Sequence, residues 1–288
     1  MRRYSFKPKI CPLITSWVAK RIIAAQKAGF KKIKVTLDLG LTSSLIKITQ
    51  GRALLNNESV DVNLLEKVVG DNIYLVLKGK LMKVSMFSNG KFYKLKAVGE
   101  KTAPTVEISG IHMHRVRGVT PWMDSQMKVL AVRISRGNKV LDVCTGLGYT
   151  AIISLKRGAS EVITIEKDEN VLKIAELNPW SRLLANERIK IIHGDANEVV
   201  REFEEGSFDR IIHDPPRFSL AGELYSLDFY KELYRILKPN GLLFHYTGAP
   251  GEKFRRRDIF KEVSSRLTKA GFIVIKKRKL RGLLAKKV

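Results

Sequence analysis

Residues 213–217, His-Asp-Pro-Pro-Arg, set a carboxylate directly ahead of two prolines. Proline fixes φ and carries no N–H, so the carbonyls of this segment stand at set angles beside the Asp214 oxygens. A carboxylate and a rigid carbonyl make a pair of hydrogen-bond acceptors, the arrangement needed to hold two N–H bonds of an amine and turn its lone pair outward. Asp214, Pro215 and Pro216 are the expected catalytic residues. Arg217 and Phe218 follow at once, one able to stack or bind a phosphate, the other able to stack on a ring.

Such a carboxylate must be presented by a strand end, and the chain supplies four in series. Residues 139–150, Lys-Val-Leu-Asp-Val-Cys-Thr-Gly-Leu-Gly-Tyr-Thr, read as a β-branched strand, a Gly-x-Gly turn at Gly146 and Gly148, and the start of a helix. Glycines there take the turn and let a ligand approach the backbone, while the helix start offers free N–H groups. Residues 161–166 close on Glu166, 24 positions after Asp142; residues 189–195 close on Asp195; residues 208–214 close on Asp214. In an open parallel sheet these ends share one edge, where ligands bind.

Over about residues 118–288 this series resembles the class I S-adenosylmethionine-dependent methyltransferases. The resemblance implies an α/β fold, a Rossmann-like domain with a mostly parallel seven-stranded sheet, and S-adenosylmethionine as cofactor. It assigns the first motif to Asp142, Thr145, Gly146, Gly148, Tyr149 and Thr150, and an acid for the ribose hydroxyls to Glu166, with Lys167 beside it. An acid for the adenine amino group falls on Asp195, with Ala196 beside it. The segment ahead of the first motif closes over the cofactor in this family, which makes Trp122 a further contact. A dinucleotide fingerprint uses similar glycines and tolerates Ala151 at its third position, but hydride transfer has no evident use for Asp-Pro-Pro.

That tetrapeptide is similar to the Asp/Asn/Ser-Pro-Pro-aromatic motif of methyltransferases acting on base amino groups, with Arg217 in the aromatic place. Asp-Pro-Pro-Arg also occurs in enzymes methylating pyrimidine C5. Those need a cysteine nucleophile, whereas Cys144 lies in the cofactor loop and Cys11 in the amino-terminal part. The chain as a whole resembles an archaeal RNA methyltransferase group that forms N4-methylated cytidine, including dimethylcytidine, in ribosomal RNA. The resemblance implies that target; the residues themselves imply an amine or similar nucleophile on a polyanion. Phe218, Tyr225 and Tyr246 are candidate walls for a base taken out of its stack.

Charge supports the polyanion. The chain has 53 Lys and Arg against 28 Asp and Glu, net +25, and residues 1–118 alone hold 22 against 7. Clustered cations displace counterions from phosphates, so RNA, ribosomal RNA first, is the expected partner. Substrate contacts are expected from Arg217 and from the basic loop Arg255, Arg256 and Arg257. His112, which alternates with His114 along one strand, is another candidate; two histidines without a third ligand give no metal site.

A composition 44% hydrophobic is ample for a packed core in 288 residues. No run approaches the roughly 18 apolar residues of a membrane span, and two cysteines make neither a disulfide framework nor a zinc site, so a cytoplasmic protein is expected. Residues 1–104 read as a basic, β-rich α+β accessory part for RNA, 105–124 as a connector, and 125–288 as the methyltransferase domain. Within the accessory part, residues 14–28 show helical spacing, and residues 32–39, 45–49, 73–77, 81–87 and 91–98 are strand-like. Two other functions compete. A polyamine aminopropyltransferase of the spermidine-synthase type would want an acidic pocket, and a tRNA base methyltransferase would share all of these features.

Overall fold

β-branched runs form strands where both faces are covered, and four of them lie side by side here. The computed structural model describes residues 1–248, 253, 254 and 257–288, the side chains of 253, 254 and 257 apart. Strands Lys139–Val143, Glu161–Glu166, Ile189–His193 and Phe208–His213 pair in parallel with nearly every inner residue buried, and Leu237–Tyr246 extends the set beside Phe208–His213. The full order is Arg2–Arg3, Ile189–His193, Glu161–Glu166, Lys139–Val143, Phe208–His213, Leu237–Tyr246, Gly282–Lys286, Ile273–Lys277. Eight strands thus stand where seven were expected. Arg2 and Arg3 add a short antiparallel edge against His193 and Ile192. At the other side Gly282–Lys286 inserts antiparallel between Leu237–Tyr246 and Ile273–Lys277.

Chain order reverses beside Lys139–Val143: the next two strands build to one side, and Phe208–His213 returns to the other. The crevice outside the carboxyl ends of these two strands is where open α/β sheets bind ligands. Helices Leu227–Ile236 and Ile259–Lys269 are capped by the Ser226 and Asp258 side chains. Their Phe229, Leu233, Val263 and Leu267 pack with Leu141, Phe208, Ile211 and Leu243 of the sheet in one core. The helix ahead of Lys139–Val143 spans Pro121–Ala131. Proline suits a first helical position because its missing N–H would have no partner there, and this puts Asp124 inside the first turn.

The chain divides into two compact units, a larger one of Met1–Phe6, Met123–Glu169 and Leu183–Val288 and a smaller one of Lys7–Trp122 and Asn170–Arg182. The division is not contiguous: the first six residues belong to the larger unit, and 170–182 belong to the smaller one. In the smaller unit, helix Ser16–Lys27 lays Val18, Ala19, Ile22 and Ala25 on one face of an antiparallel sheet. That sheet consists of Lys32–Val35, Ser44–Thr49, Arg52–Leu55 and Glu58–Asp61. A second four-stranded sheet, of Ile111–His112, Thr105–Ile108, Lys91–Lys96 and Ser85–Ser88, and a three-stranded one complete a β-rich unit. Among the described residues no helix is long and apolar enough to cross a membrane.

Candidate active site

Past Val143 the backbone turns through Cys144, Gly146 and Gly148, all at positive φ. Gly148 must be glycine on two counts, its φ of +75° and the 2.5 Å that would separate an added Cβ from Leu184. Gly146 differs: a Cβ added there meets nothing within 4 Å, so the loop is open on that side. Helix Tyr149–Lys156 starts directly behind it with Tyr149 and Thr150 buried. Asp142 acts underneath. It is fully buried, and its Oδ2 accepts from Thr164 Oγ1 at 2.8 Å. That commits the Thr164 proton, so Thr145 Oγ1, 2.6 Å away, is the donor of the next bond in the chain. Burial pushes the Asp142 carboxyl up to about 7 against the opposing Thr150 and Thr164 hydroxyls. Its work is to hold the loop in shape.

Glu166 reaches the same loop from the next strand. Its Oε2 accepts from Gly146 N at 2.8 Å and its Oε1 from Asp168 N at 2.9 Å, with the Lys167 amide also facing the carboxylate, which still leaves it a lone pair for a ligand hydroxyl. Burial raises its pKa, with the Asp168 and Gly146 amides opposing. Asp195 caps helix Ala196–Val199 through Asn197 N, and Lys167 Nζ lies 2.7 Å from its Oδ2. Burial would raise its carboxyl, but the Lys167 ammonium and the Asn197 amide prevail and hold it below the usual range. Lys167 therefore serves Asp195, and Ala196 is buried in the helix behind it.

Across the crevice, Asp214 N donates to Val143 O at 3.3 Å, tying the Asp-Pro-Pro segment to the strand that carries the glycine loop. The Asp214 carboxylate meets a residue the sequence reading passed over. Lys128 Nζ lies 2.6 Å from Asp214 Oδ2 and 2.8 Å from Asp124 Oδ2, with side-chain exposures of 3% for Lys128, 2% for Asp124 and 17% for Asp214. The same ammonium sits 4.3 Å from the centroid of the half-buried Tyr246 ring. Burial alone would neutralise this lysine, yet the two carboxylates outweigh it and keep the ammonium charged. Asp214 is pulled both ways, raised by burial and lowered by Lys128, with burial the larger and the net direction upward. One signal was legible, an aspartate four residues before a lysine on one helix face; the third member, 86 positions away, was not.

The segment behind Asp214 is braced. Tyr225 is buried and its hydroxyl donates to Pro216 O at 2.8 Å, so it supports the loop from beneath. His213 Nε2 donates to Leu224 O at 3.0 Å, and its buried Nδ1 makes no hydrogen bond among the described residues. Burial lowers the His213 pKa to about 4, so the ring is neutral. His245, at a ring-centroid distance of 4.4 Å, donates from Nδ1 to Tyr246 O and accepts at Nε2 from the Tyr230 hydroxyl. Burial, and then the nearby carboxylates, push the Cys144 thiol well up, which removes it as a thiolate nucleophile.

Phe218 stands edge-on to Tyr225, half-buried, and Arg217 is exposed. Trp122 and His112 belong to the smaller unit, where Trp122 packs on Trp180 at 5.1 Å and His112 Nε2 lies 3.0 Å from Glu107 Oε2. Arg255 and Arg256 lie outside the described residues, as does the side chain of Arg257.

The family model described as Conserved hypothetical protein 95 matches residues 116–277. The Uncharacterized protein MJ1233 of Methanocaldococcus jannaschii is 47% identical over 270 residues, 92% of this chain and 91% of that one. Demethylmenaquinone methyltransferase of Staphylococcus aureus is 36% identical over 124 residues, 42% of this chain and 47% of that one. Among solved structures, a spermidine synthase in complex with the transition state analogue AdoDATO superposes with a TM-score of 0.59 at 24% identity, covering 73% of this chain and 76% of that one. That last likeness is one of fold.

Proposed function

The chain belongs to the family of Conserved hypothetical protein 95 and is an enzyme of the S-adenosylmethionine-dependent methyltransferase class, with S-adenosylmethionine as its cofactor; from this premise we propose that it methylates an exocyclic base amine in RNA. The best-supported target is N4 of cytidine in ribosomal RNA. The observation that carries the reading is the Lys128–Asp214 contact at 2.6 Å. It holds Oδ2 and leaves Oδ1, which no described residue bonds, for a substrate.

The chain's own groups fit the cofactor. Gly146 leaves open space, Glu166 keeps acceptor lone pairs beside the Gly146 amide, and Asp195 is the next acid along the rim. Bound there, S-adenosylmethionine supplies a methyl group on a positively charged sulfur. The residues at Asp214 prepare the amine. Its lone pair is delocalised into the base ring, so Asp214 Oδ1 and the Pro215 carbonyl accept its two hydrogens and tilt the nitrogen out of plane. The Tyr225 hydroxyl takes one lone pair of the Pro216 carbonyl, and the Pro215 carbonyl is assigned this task. Holding the nitrogen in line supplies most of the barrier reduction. As the N–C bond forms, Asp214 takes the surplus proton, its carboxyl being raised by burial. A once-methylated amine keeps one N–H for Asp214, so a second transfer fits the same geometry.

RNA as substrate rests on the net charge of +25 and on exposed Arg217 beside Asp214. The base enters flipped, with Phe218 and Tyr246 as its walls. The smaller unit binds RNA, and the larger unit, Asp124 included, carries the chemistry. The fold shared with spermidine synthase makes aminopropyl transfer to a polyamine the competing activity. The separating experiment supplies labelled S-adenosylmethionine with ribosomal RNA in one vessel, and spermidine with decarboxylated S-adenosylmethionine in another. Label in RNA is the expected result; product in the polyamine vessel alone would replace this function.

A further inference from the structure

The four-stranded sheet under helix Ser16–Lys27 has two unlike faces. Its inner face, with Val35, Ile46, Ile48, Ala53, Leu55 and Val60, is buried against the helix. Its outer face carries Lys32, Lys34, Leu45, Lys47 and Leu54, all exposed. The register makes Lys32 the direct cross-strand partner of Lys47, Lys34 that of Leu45, and Lys47 in turn that of Leu54. Like charges directly opposite destabilise a sheet, and among the described residues no acid lies within ion-pair distance of these three lysines. Most of the unit's acids are engaged elsewhere: Asp38 by Thr36 and Thr42, Glu58 by the Gly79 amide, Asp71 and Glu107 by Lys94 and Lys96, Glu100 by Arg21. On the outer face Asp61 stands opposite Arg52, and Ser59 holds the Arg52 guanidinium.

A repulsive lysine pair with exposed leucines on either side gains from a partner that brings negative charge to the lysines and apolar surface to the leucines. An RNA strand has both, in its phosphates and in its sugars and base faces. Lys32 and Lys34, two residues apart on one strand, have Cα atoms roughly 7 Å apart, which suits successive phosphates of an extended strand. We propose that this outer face, centred on Lys32, Lys34 and Lys47, is the surface on which the protein holds the RNA backbone. The proposal rests on RNA being the substrate, and it places the gripping surface on the smaller unit.

The test measures binding of a fluorescent single-stranded oligoribonucleotide across a salt series, for the full chain and for a Lys32→Gln/Lys34→Gln/Lys47→Gln variant. Losing three phosphate contacts should reduce the slope of log K against log salt by about 2 and weaken binding at low salt at least tenfold. Lys47→Glu alone pairs a carboxylate with Lys32, so it should raise the melting temperature while lowering RNA affinity, two changes in opposite senses. An unchanged slope in the triple variant, or Lys47→Glu binding RNA as tightly as the parent, overturns the surface. If the parent chain still methylates RNA in that event, only the surface falls; a parent chain that neither binds nor methylates RNA removes both the surface and the function.

Discussion

In the larger unit Lys128 lies buried between two carboxylates, whereas in the smaller unit Lys32 faces Lys47 across two strands in open water. The same ammonium group serves two ends. Removed from water, it fixes a charge state and an orientation, because a buried ion without its partner costs several kcal/mol, about 3–5. Left in water without an acid nearby, it has little to do within the fold and remains available to a phosphate. Burial with pairing fixes the one lysine in place, and exposure without pairing leaves the other open to solvent.

The contrast is broken most severely at Asp214. Asp214→Ala removes the amine's acceptor and should lower kcat by about 100-fold or more, while cofactor affinity measured by calorimetry stays within a few-fold; full turnover in this variant would remove Asp214 from the mechanism. Lys128→Met leaves two carboxylates buried without their cation and should cost about 3–5 kcal/mol of stability, read from denaturant unfolding. It should also shift the acid limb of the rate profile upward, since Asp214 loses the group that favours its ionised form. A variant as stable as the parent would mean that the triad is not closed in solution. Glu166→Ala removes a charged acceptor and should weaken cofactor binding by roughly 10–100-fold, with little change in RNA affinity, which sharpens the separation of the two units.

The smallest effects are in pH dependence, where two buried groups of the larger unit pull in opposite senses. Asp142, at about 7 when folded against about 3.9 when unfolded, holds a proton that the unfolded chain has released. Its contribution is full below about 4 and is lost as pH rises through 7. His213, at about 4 when folded against about 6.5 unfolded, contributes above about 6.5 and loses that contribution as pH falls to 4. Melting curves should therefore separate between pH 4 and 7: Asp142→Asn removes a fall in stability with rising pH, and His213→Gln removes a fall with falling pH. Parallel curves for the two variants would contradict the burial assigned to both.

The sequence disclosed most where the signal was local. Each of the four strands carries its own acid and its own turn within a few residues, so Asp142, Glu166, Asp195 and Asp214 could be assigned to one edge of the sheet from the sequence alone. Asp142 was legible as a motif but not as a scaffold, since its burial depends on Thr164 of the neighbouring strand. Lys128 escaped because its decisive partner is remote in the chain, and Arg2–Arg3 because two residues show no period. In the smaller unit, Arg52–Leu55 and Glu58–Asp61 are joined by Asn56-Asn57 with Asn56 at a φ of 56°. That is a two-residue hairpin turn of a recognisable kind, and the absence of glycine hid it. Tyr225 read as a substrate wall because aromatic character is visible in a sequence, while a bond from its hydroxyl to Pro216 O is not.

The proposed chemistry turns on Asp214, fixed by Lys128, presenting an acceptor to a base amine. The most direct measurement is mass spectrometry of nucleosides digested from ribosomal RNA after incubation with the protein and methyl-labelled S-adenosylmethionine. Label is expected on the exocyclic nitrogen of a base, cytidine N4 foremost, and none with Asp214→Ala. Label on a ring carbon or a ribose oxygen, or equal label with the variant, would contradict it.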